Sequence, residues 1–506
     1  MKKIQWLPLI LVIFCNLGLN SCKKENDSRP VDDYSDYSFE EPEITGTTFY
    51  IDPINGSSNG DGSSQNPWRT LQEVIEKQLI ENYQHSESYN ANSELVVVNE
   101  GAPVKGGDRL VLLSGYHGFI DLNNFIFKDW LRIEAGDGQT PVLSQFKVTG
   151  AFEKFYLKGL TIKKDSYQGI ESYWLADDIN HNTNACLYLG SSDFWGKGKD
   201  VKISGLTVKT TDDISGWNAD EWVEKVAAGI SLRSVENIEI YNCTIENISL
   251  GVAIEYNSDY SKVVGNNIRN YSLDGMRLIS NNVLLANNSI VGCYKVDENH
   301  DDAIQSYSRG ADGSSGSGVL YNNVIRGNLI VGITGPEQPL QGTPQGIGCF
   351  DGFFDGWIVE NNVIITNHYH GISFYGMRNS KIANNTVIDQ IPGDDLSPWI
   401  MITDHKNGTP SENCLIVNNI VSRAVNAEGN NVLEKKNYII GHNNYSQNAE
   451  IFINPDQFNF HLLINDFTNQ NIIDKGEFIN GLLSSEIDKD NVNRTVPPDI
   501  GAYEAK

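Results

Sequence analysis

The amino-acid sequence predicts an all-β protein built as a parallel β-helix, a solenoid in which short strands stack coil upon coil. Short segments rich in Val and Ile recur along most of the chain, and each recurrence ends in a turn that contains asparagine. The shortest recurrences are about 22 residues apart, and the alternation within them has the period of strands rather than of helices. A propeller blade needs about 40 residues, so the spacing favours a parallel β-helix.

The repeated turn is the first element of this pattern. It recurs in "IEIYNCTIEN", "KVVGNNIRN", "VLLANNSIVG", "VLYNNVIRGN", "WIVENNVIITN", "KIANNTVIDQ" and "CLIVNNIVS". Asparagine tolerates the left-handed backbone conformation of a tight turn and can hydrogen-bond to its copy in the next coil. The turn asparagines are Asn242, Asn266, Asn267, Asn287, Asn288, Asn322, Asn323, Asn361, Asn362, Asn384, Asn385, Asn418 and Asn419.

A second repeated phrase, "AGISLR" in its first copy, places a small residue before an aliphatic one and then alternates. Alternation along a strand sends the aliphatic residue inward. The predicted interior stack is Ile230, Val252, Met276, Ile304, Ile347 and Ile372. The predicted outward residues are Ser231, Arg233, Ala253, Glu255, Arg277, Ile279, Gln305, Tyr307, Gly348, Phe350, Ser373 and Tyr375. Because neighbouring strands lie about 4.8 Å apart, the charged and aromatic members form one patch.

The N-terminus predicts export and a lipid anchor. A positive start and an apolar run from Trp6 to Leu19 are typical of a signal peptide, residues 1–21. Leu19-Asn20-Ser21-Cys22 resembles a bacterial lipobox, which implies lipidation of Cys22 and attachment to a membrane. Residues 22–46 are polar and predicted to form a flexible tether. We therefore expect a lipoprotein of the bacterial outer membrane, facing the periplasm or the cell surface.

Residues 47–506 are predicted to form one domain. "TFYIDPINGSSNGDGSSQNPWRTLQEVIEK", "GGDRLVLLSGYHG" and "PPDIGAYE" resemble the beginning, first strand and ending of pectate-lyase-like proteins. The resemblance implies a right-handed parallel β-helix with an N-terminal capping helix. It divides the domain into a cap with first coils (47–120), coils with inserted loops (121–450) and a C-terminal cap (451–506).

Charge and cysteine usage restrict the partners. A net charge of −27 argues against nucleic acid, and a polyanionic substrate would need a local basic strip. No disulfide or zinc pattern links the five cysteines beyond Cys22, so we expect buried free thiols. A monomer is the default for a capped β-helix. The five are Cys186, Cys243, Cys293, Cys349 and Cys414.

The densest group of titratable residues is "DENHDDAIQSYSR", which contains His300, Asp301, Asp302, Gln305 and Tyr307, with Arg309 at its end. "NHYHGISFY" supplies a further group of ring side chains two coils later, and two Gly-rich loops, 308–318 and 335–346, are expected to wall one cleft. The predicted substrate-binding residues are Arg233, Glu255, Arg309, His368, His370 and Tyr375.

Such a strip suits β-elimination in a uronic-acid polymer. This reaction needs a neutraliser for the sugar carboxylate, a base for the C5 proton and an acid for the leaving oxygen. The candidates are Arg277 and Gln305 as neutralisers, His300 or Lys225 as base, and Tyr307 or Tyr188 as acid. Replacing Arg277 is expected to abolish turnover with the fold intact. Ca²⁺ is a second candidate neutraliser, with Asp259, Asp274, Asp301 and Asp302 as candidate ligands.

The combination resembles alginate lyases of polysaccharide lyase families 6 and 31, and less closely the β-helical mannuronan C5-epimerases. This resemblance implies a lyase acting on an acidic polysaccharide, with alginate the first expectation. A C5-epimerase remains an alternative. So do a glycoside hydrolase that uses paired carboxylates and a surface protein that binds glycan without cutting it.

Overall fold

The structure is a computed structural model that describes residues 34–506 except 36, 91, 167–183, 193, 390–395 and 443. The predicted signal peptide, Cys22 and the start of the tether lie outside the described residues. Within them, short strands pair in parallel from coil to coil and form three ladders. No helix in this part of the chain has the length and apolar character needed to cross a bilayer.

The first ladder carries the repeated phrase of the sequence. Its strands are Gly115–Ala135, Pro141–Lys158, Ala185–Gly190, Ala228–Arg233, Thr244–Glu255, Asn267–Ile279, Asp302–Tyr307, Gln345–Asp351, His370–Tyr375, Trp399–Thr403 and Val425–Ala427. The four longest of these strands turn a corner of the solenoid and also pair within another ladder.

The second and third ladders form the other sides of the solenoid. Additional strands of the second are Thr48–Ile51, Arg109–Leu112, Gly198–Ser204, Val235–Tyr241, Lys262–Val264, Leu284–Ala286, Val324–Arg326, Ile358–Glu360, Lys381–Ala383, Glu412–Val417 and Asn430–Lys435. Additional strands of the third are Thr161–Lys163, Thr207–Lys209, Ser289–Cys293, Leu329–Val331, Val363–Ile365, Thr386–Ile388, Ile420–Val421 and Tyr438–Ile439.

Smaller elements complete the chain. A minor parallel set consists of Val319–Tyr321, Phe353–Asp355 and Met377–Arg378. Antiparallel pairs join Asn82–His85 to Leu95–Val98 and Phe452–Asn454 to Asn459–Leu462. The helices are α1 (Leu71–Glu76), α2 (Ala219–Lys225), α3 (Asn448–Ile451) and α4 (Asp466–Asn471). Described 3₁₀ turns are Lys164–Ser166, Tyr445–Gln447, Pro455–Gln457 and Leu483–Ser485.

The interior of the solenoid is the stack that the sequence predicts. Cα register aligns Ile230 with Val252, Val252 with Met276, and so on through the later coils, and all six side chains are buried. The five cysteines are buried free thiols, as predicted. Each buried aliphatic side chain contributes about 1.5–3 kcal/mol of hydrophobic stabilisation, so the stack is a main source of the stability of the fold.

An asparagine ladder runs along the corner between the second and third ladders. Except in the last member, each side-chain Nδ2 donates to the Oδ1 of the next member at 2.9–3.0 Å, and the backbone N–H of the same residue donates to that oxygen too. The members are Asn266, Asn288, Asn328, Asn362, Asn385, Asn419 and Asn437. The predicted hydrogen bonding between stacked asparagines is confirmed.

One assignment within this repeat is wrong. Asn322 and Asn323 occupy a different corner, where the Oδ1 of Asn323 accepts from the backbone N–H of Val283 at 2.8 Å. In that coil the member of the asparagine ladder is Asn328. It follows Gly327, whose backbone is left-handed (φ 65°). Two asparagine-containing corners occur in one coil there, and sequence spacing alone does not distinguish them.

Replacing Asn362 by alanine is expected to lower the free energy of unfolding by about 2–4 kcal/mol. Its Oδ1 accepts two hydrogen bonds from Asn328, and its Nδ2 donates to Asn385 at 2.9 Å, so alanine leaves buried groups of both neighbours without partners. Urea denaturation followed by circular dichroism measures the change.

The matched control for this variant is Asn123→Ala. Asn123 is exposed and donates to Thr149 Oγ1 at 3.0 Å, so its replacement should change stability by less than about 0.5 kcal/mol. Equal losses in the two variants would mean that the ladder adds nothing beyond ordinary surface hydrogen bonds.

The second half of the expected tether lies against the solenoid. We name residues 34, 35 and 37–46 the strap, because they run along the outer side of the second ladder. Tyr34 packs among Val264 and Leu284, and its hydroxyl donates to a backbone carbonyl of the same side. Farther along, the ring of Phe39 stacks on Tyr241 with centroids 4.7 Å apart. The polar composition of the strap predicted a free chain, but its aromatic residues find partners on the outer side of the strands.

The C-terminal segment, expected as a cap, covers outer sides as well. Ile500, Ala502 and Tyr503 pack with third-ladder residues that point away from the interior, such as Val363. Leu482 packs on the outer side of the second ladder. The two ends of the described chain therefore cover much of the second and third ladders, and the first ladder keeps its outer side for polar side chains.

Candidate active site on the first ladder

The outer side of the first ladder carries a cavity of about 470 Å³. It lies over the three strands that begin at Asp302, Gln345 and His370, where polar and aromatic side chains alternate with the buried stack. The lining residues are His300, Gln305, Ser306, Tyr307, Ser315, Gln345, Gly348, Phe350, Asp351, His370, Tyr375 and Lys406. Five of the residues predicted for the site line this cavity: His300, Gln305, Tyr307, His370 and Tyr375.

His300 and Asp302 form a hydrogen-bonded pair at the rim. The Nδ1 of His300 lies 3.3 Å from Asp302 Oδ2, which also accepts from Gln305 Nε2 at 3.0 Å. The imidazole is 70% exposed whereas the carboxylate is fully buried. The hydrogen bond to Asp302 raises the pKa of His300 above its usual value, and burial raises the pKa of Asp302. A buried carboxylate thus orients an accessible imidazole, which is an arrangement suited to proton transfer.

Arg277 does not offer a free charge to the cavity. Its Nη2 lies 2.6 Å from Asp274 Oδ2 and its Nη1 3.5 Å from Glu255 Oε1. Both carboxylates are buried, at 0% and 1% side-chain exposure. The sequence predicts that the fold survives replacement of Arg277, whereas these contacts predict a loss of stability, because two buried carboxylates would lose this guanidinium. We assign Arg277 a structural role.

Asp301 precedes Asp302 in the same turn but contacts a different side chain. Its Oδ2 lies 3.5 Å from the Nζ of Lys295, and its Oδ1 has no hydrogen-bond partner among the described residues. Burial raises the pKa of Asp301 to about 7. This turn therefore concentrates buried acid groups beside the His300 pair.

Tyr307 and Tyr188 are the two predicted acids, and they lie in different places. A bulge after Ser306 sets Tyr307 opposite Asp351 instead of the predicted Phe350, and Tyr307 lines the cavity. Tyr188 lies several coils earlier and packs among small apolar residues of the first ladder. Burial raises the pKa of both hydroxyls. Of the two tyrosines, Tyr307 lines the cavity, and its raised pKa means that its hydroxyl keeps its proton at neutral pH.

Lys225 lies outside this arrangement. It ends helix α2, where its Nζ pairs with Glu221 at 2.8 Å and lies 5.7 Å from the ring centroid of Trp217. The sequence places Lys225 shortly before the Ala228–Arg233 strand, but the helix that precedes this strand carries the Lys225 side chain to other partners. The structure gives Lys225 no contact that supports a role as base.

Arg233 and Arg309 approach the same aromatic ring. The guanidinium carbon of Arg233 lies 4.0 Å from the ring centroid of Tyr256, and that of Arg309 lies 4.6 Å from it. Tyr256 follows Glu255 and has a left-handed backbone (φ 55°). The structure thus brings together two predicted substrate-binding arginines that are far apart in the sequence.

The predicted ring residues form the far wall of the cavity. His370 packs edge-on against Phe350, with centroids 4.7 Å apart, and its Nδ1 lies 2.8 Å from Ser373 Oγ. His368 stacks beside His370 at 5.5 Å, and Tyr375 contacts the other edge of Phe350. Burial lowers the pKa of both histidines to about 4, so both are neutral at pH 7.

The sequence predicts that the two inserted loops wall one cleft, but the second loop divides between two cavities. Ser315 of the first loop and Gln345 at the end of the second line the site cavity, whereas Glu337 and Pro339 of the second loop line a separate cleft of about 840 Å³ on the third ladder. The reason is that the first loop follows a first-ladder strand and the second follows Leu329–Val331 of the third ladder.

The acidic residues considered for Ca²⁺ have other partners. Asp274 binds Arg277, Asp302 binds His300 and Gln305, and Asp301 lies beside Lys295. Within the described ranges, no group of three His, Cys, Asp or Glu side chains is arranged to hold a metal ion. The carboxylates of Asp274, Asp301 and Asp302 are therefore each in contact with a basic or amide side chain of the protein.

Several lining residues were missed at the sequence level. Lys406 reaches the cavity from a loop two coils beyond Asp351, with which it pairs at 2.8 Å. Gln345 begins a copy of the repeated phrase and aligns with Asp302, so the alignment itself could have indicated it. Tyr256, which is not among the lining residues but contacts Arg233 and Arg309, was also missed; the available signal was an aromatic residue directly after the charged end of a strand.

Fold and site together describe a solenoid with a polar groove on one ladder. Residues 178–393 match the family described as "Right handed beta helix region". The right-handed parallel β-helix predicted from the sequence is confirmed. No curated protein matches the chain significantly.

Three solved structures are similar to this chain at low sequence identity. The crystal structure of pectate lyase Pel9A is 13% identical, with 92% of this chain and 98% of that chain covered and a TM-score of 0.45. XylC in complex with xylose is 8% identical, covering 90% and 98%, with a TM-score of 0.44. A mannuronic-acid-specific family 6 polysaccharide lyase from human gut microbiota is 13% identical, covering 67% and 78%, with a TM-score of 0.36.

Proposed function

We propose that this chain is a polysaccharide lyase that cleaves a uronic-acid polymer by β-elimination, with alginate as the first candidate. The observation that carries the proposal is the His300–Asp302 pair at the rim of a cavity lined by tyrosine, amide and lysine side chains. The proposed exported, lipid-anchored location would bring such an enzyme to a polymeric substrate.

His300 is the proposed base. Its Nδ1 faces the Asp302 carboxylate, so Nδ1 carries the proton and Nε2 is the nitrogen that accepts one from a substrate. The hydrogen bond to Asp302 raises the pKa of His300, which strengthens the imidazole as a base once it is deprotonated.

Tyr307 is the proposed acid, and Gln305 and Lys406 supply N–H donors for the sugar carboxylate. The C5 proton passes to His300 Nε2, and its bonding electrons form the C4–C5 double bond. The bond between C4 and the glycosidic oxygen breaks, and that oxygen takes the Tyr307 proton. Solvent then returns the proton from His300 to Tyr307, so no co-reactant is consumed.

The ultraviolet absorbance of the new double bond tests the proposal. The mature domain is mixed in turn with alginate, pectate, hyaluronan and chondroitin, each with and without EDTA. We expect absorbance to rise with a uronate polymer, alginate first, and to be insensitive to EDTA. A rise that EDTA abolishes would overturn the metal-free scheme.

The remaining alternatives give different outcomes in the same samples. Release of reducing ends without a rise in absorbance would indicate a hydrolase. Inversion at C5, observed by NMR, would indicate an epimerase. Binding without turnover would indicate a glycan-binding protein. Each of these results would overturn the lyase. The hydrolase has the weaker support, because Asp301 and Asp302 are only 5% and 0% exposed and cannot both reach a sugar.

A further inference from the structure

We propose that Arg233 and Arg309, which both contact the Tyr256 ring, form a second subsite that binds the carboxylate of a uronate away from the cleavage point. This inference rests on the proposed function, because it names where a neighbouring sugar of the same polymer would be held.

The first argument is charge. In a chain of net charge −27, most of the described arginines are paired with acids, as Arg277 is with Asp274 and Arg326 with Glu360. Among the described residues, neither Arg233 nor Arg309 has a carboxylate within ion-pair distance; their recorded side-chain partners are tyrosines.

The second argument is position. Arg233 is the register partner of Glu255 on the neighbouring strand. The Glu255 carboxylate, however, lies 3.5 Å from Arg277 and pairs with that guanidinium. Two guanidinium groups held this close to one ring repel each other, so an anion bound beside the ring and within reach of both would reduce that repulsion. The ring itself provides a cation–π contact to each arginine and holds both in place without neutralising them.

The third argument is spacing along the groove. Tyr256 directly follows the Thr244–Glu255 strand, which lies two coils before the Asp302 strand, about 10 Å along the axis at the usual strand spacing. Arg309 follows Tyr307, which lines the cavity, so the two sites are continuous. A polymer with a carboxylate on every sugar can occupy both sites at once. The planar fork of arginine is suited to such a carboxylate.

Binding of alginate and polygalacturonate oligosaccharides tests the subsite, measured by calorimetry in a His300→Asn background. We expect Arg233→Gln and Arg309→Gln each to weaken the binding of a uronate oligosaccharide roughly tenfold. The carboxyl-reduced oligosaccharide should bind the arginine variants and the parent alike. Lys128→Gln is the matched control, because Lys128 is an exposed cation 4.2 Å from the ring of Tyr83 on another part of the solenoid.

The outcomes separate this inference from the proposed function. Equal affinities in the arginine variants and the Lys128 control would overturn the subsite, whether or not the wild-type protein cuts the polymer. Arginine-dependent binding without any turnover would support the subsite and overturn the lyase. Dextran sulfate that competes as well as the uronate would show a general anion site and overturn the carboxylate assignment.

Discussion

Replacing His300 by asparagine is expected to lower kcat by a factor of about 10²–10⁴, the usual contribution of a general base. Asparagine keeps a polar group beside Asp302 but cannot accept the C5 proton. Initial rates of double-bond formation measure the loss, and KM should change little because the rest of the cavity wall is retained.

The pH profile of the wild-type enzyme gives a second measure of the same role. The base must be deprotonated, so kcat/KM should rise with pH through the pKa of His300. The hydrogen bond to Asp302 raises this pKa, so the rise should lie above the range of an ordinary histidine.

The matched control is His461→Asn. His461 also pairs with an aspartate, its Nε2 lying 2.7 Å from Asp490 Oδ2, but it belongs to the C-terminal segment. Its replacement should leave kcat unchanged. Wild-type kcat in the His300 variant, or an equal loss of kcat in the two variants, would show that His300 is not the base.

Replacing Arg277 by methionine is expected to lower the free energy of unfolding by about 3–5 kcal/mol near pH 8. The variant leaves the buried carboxylates of Asp274 and Glu255 without their shared guanidinium. Urea denaturation monitored by circular dichroism measures the loss.

The deficit should depend on pH. Burial already raises the pKa of Asp274 although Arg277 opposes the shift, and loss of Arg277 raises it further. A carboxyl whose pKa is raised by folding favours the folded state at acid pH, and this advantage is lost as pH rises through the folded-state pKa. The variant should therefore approach wild-type stability near pH 4 and fall behind as the pH increases.

Arg269→Met is the matched control for Arg277→Met. Arg269 pairs with Glu246, but its side chain is 50% exposed, so its loss should cost less than about 1 kcal/mol. If the Arg277 variant is as stable as the wild type and has the same pH dependence of stability, the structural role is wrong and Arg277 is again a candidate neutraliser.

The sequence predicts well those features that depend on local alternation. Ile304 lies inward because side chains alternate along a strand, and a one-residue error would expose the whole stack. The ladder around Asn362 follows from the repeat for the same reason. Gln305 and Arg277 were correctly placed on one face, since they are register partners.

Features that depend on distant partners could not be predicted in this way. The bulge after Ser306 moves Tyr307 by one position, and no residue pattern in the phrase indicates it. The neutralisation of Arg277 depends on how deeply Asp274 is buried, which strand periodicity does not report. Lys225 was misplaced because the insertion before its strand folds as a helix with its own contacts.

The strap and the C-terminal segment change how this solenoid should come apart. In a simple repeat protein each coil contacts only its neighbours, so unfolding can begin at an end and proceed coil by coil. Here Tyr34 contacts Asn282, and Arg494 donates to Asn361 at 3.1 Å, joining segments more than 100 residues apart. Fraying of a single coil must also release these long-range contacts. Unfolding should therefore be more cooperative than that of a bare stack of coils.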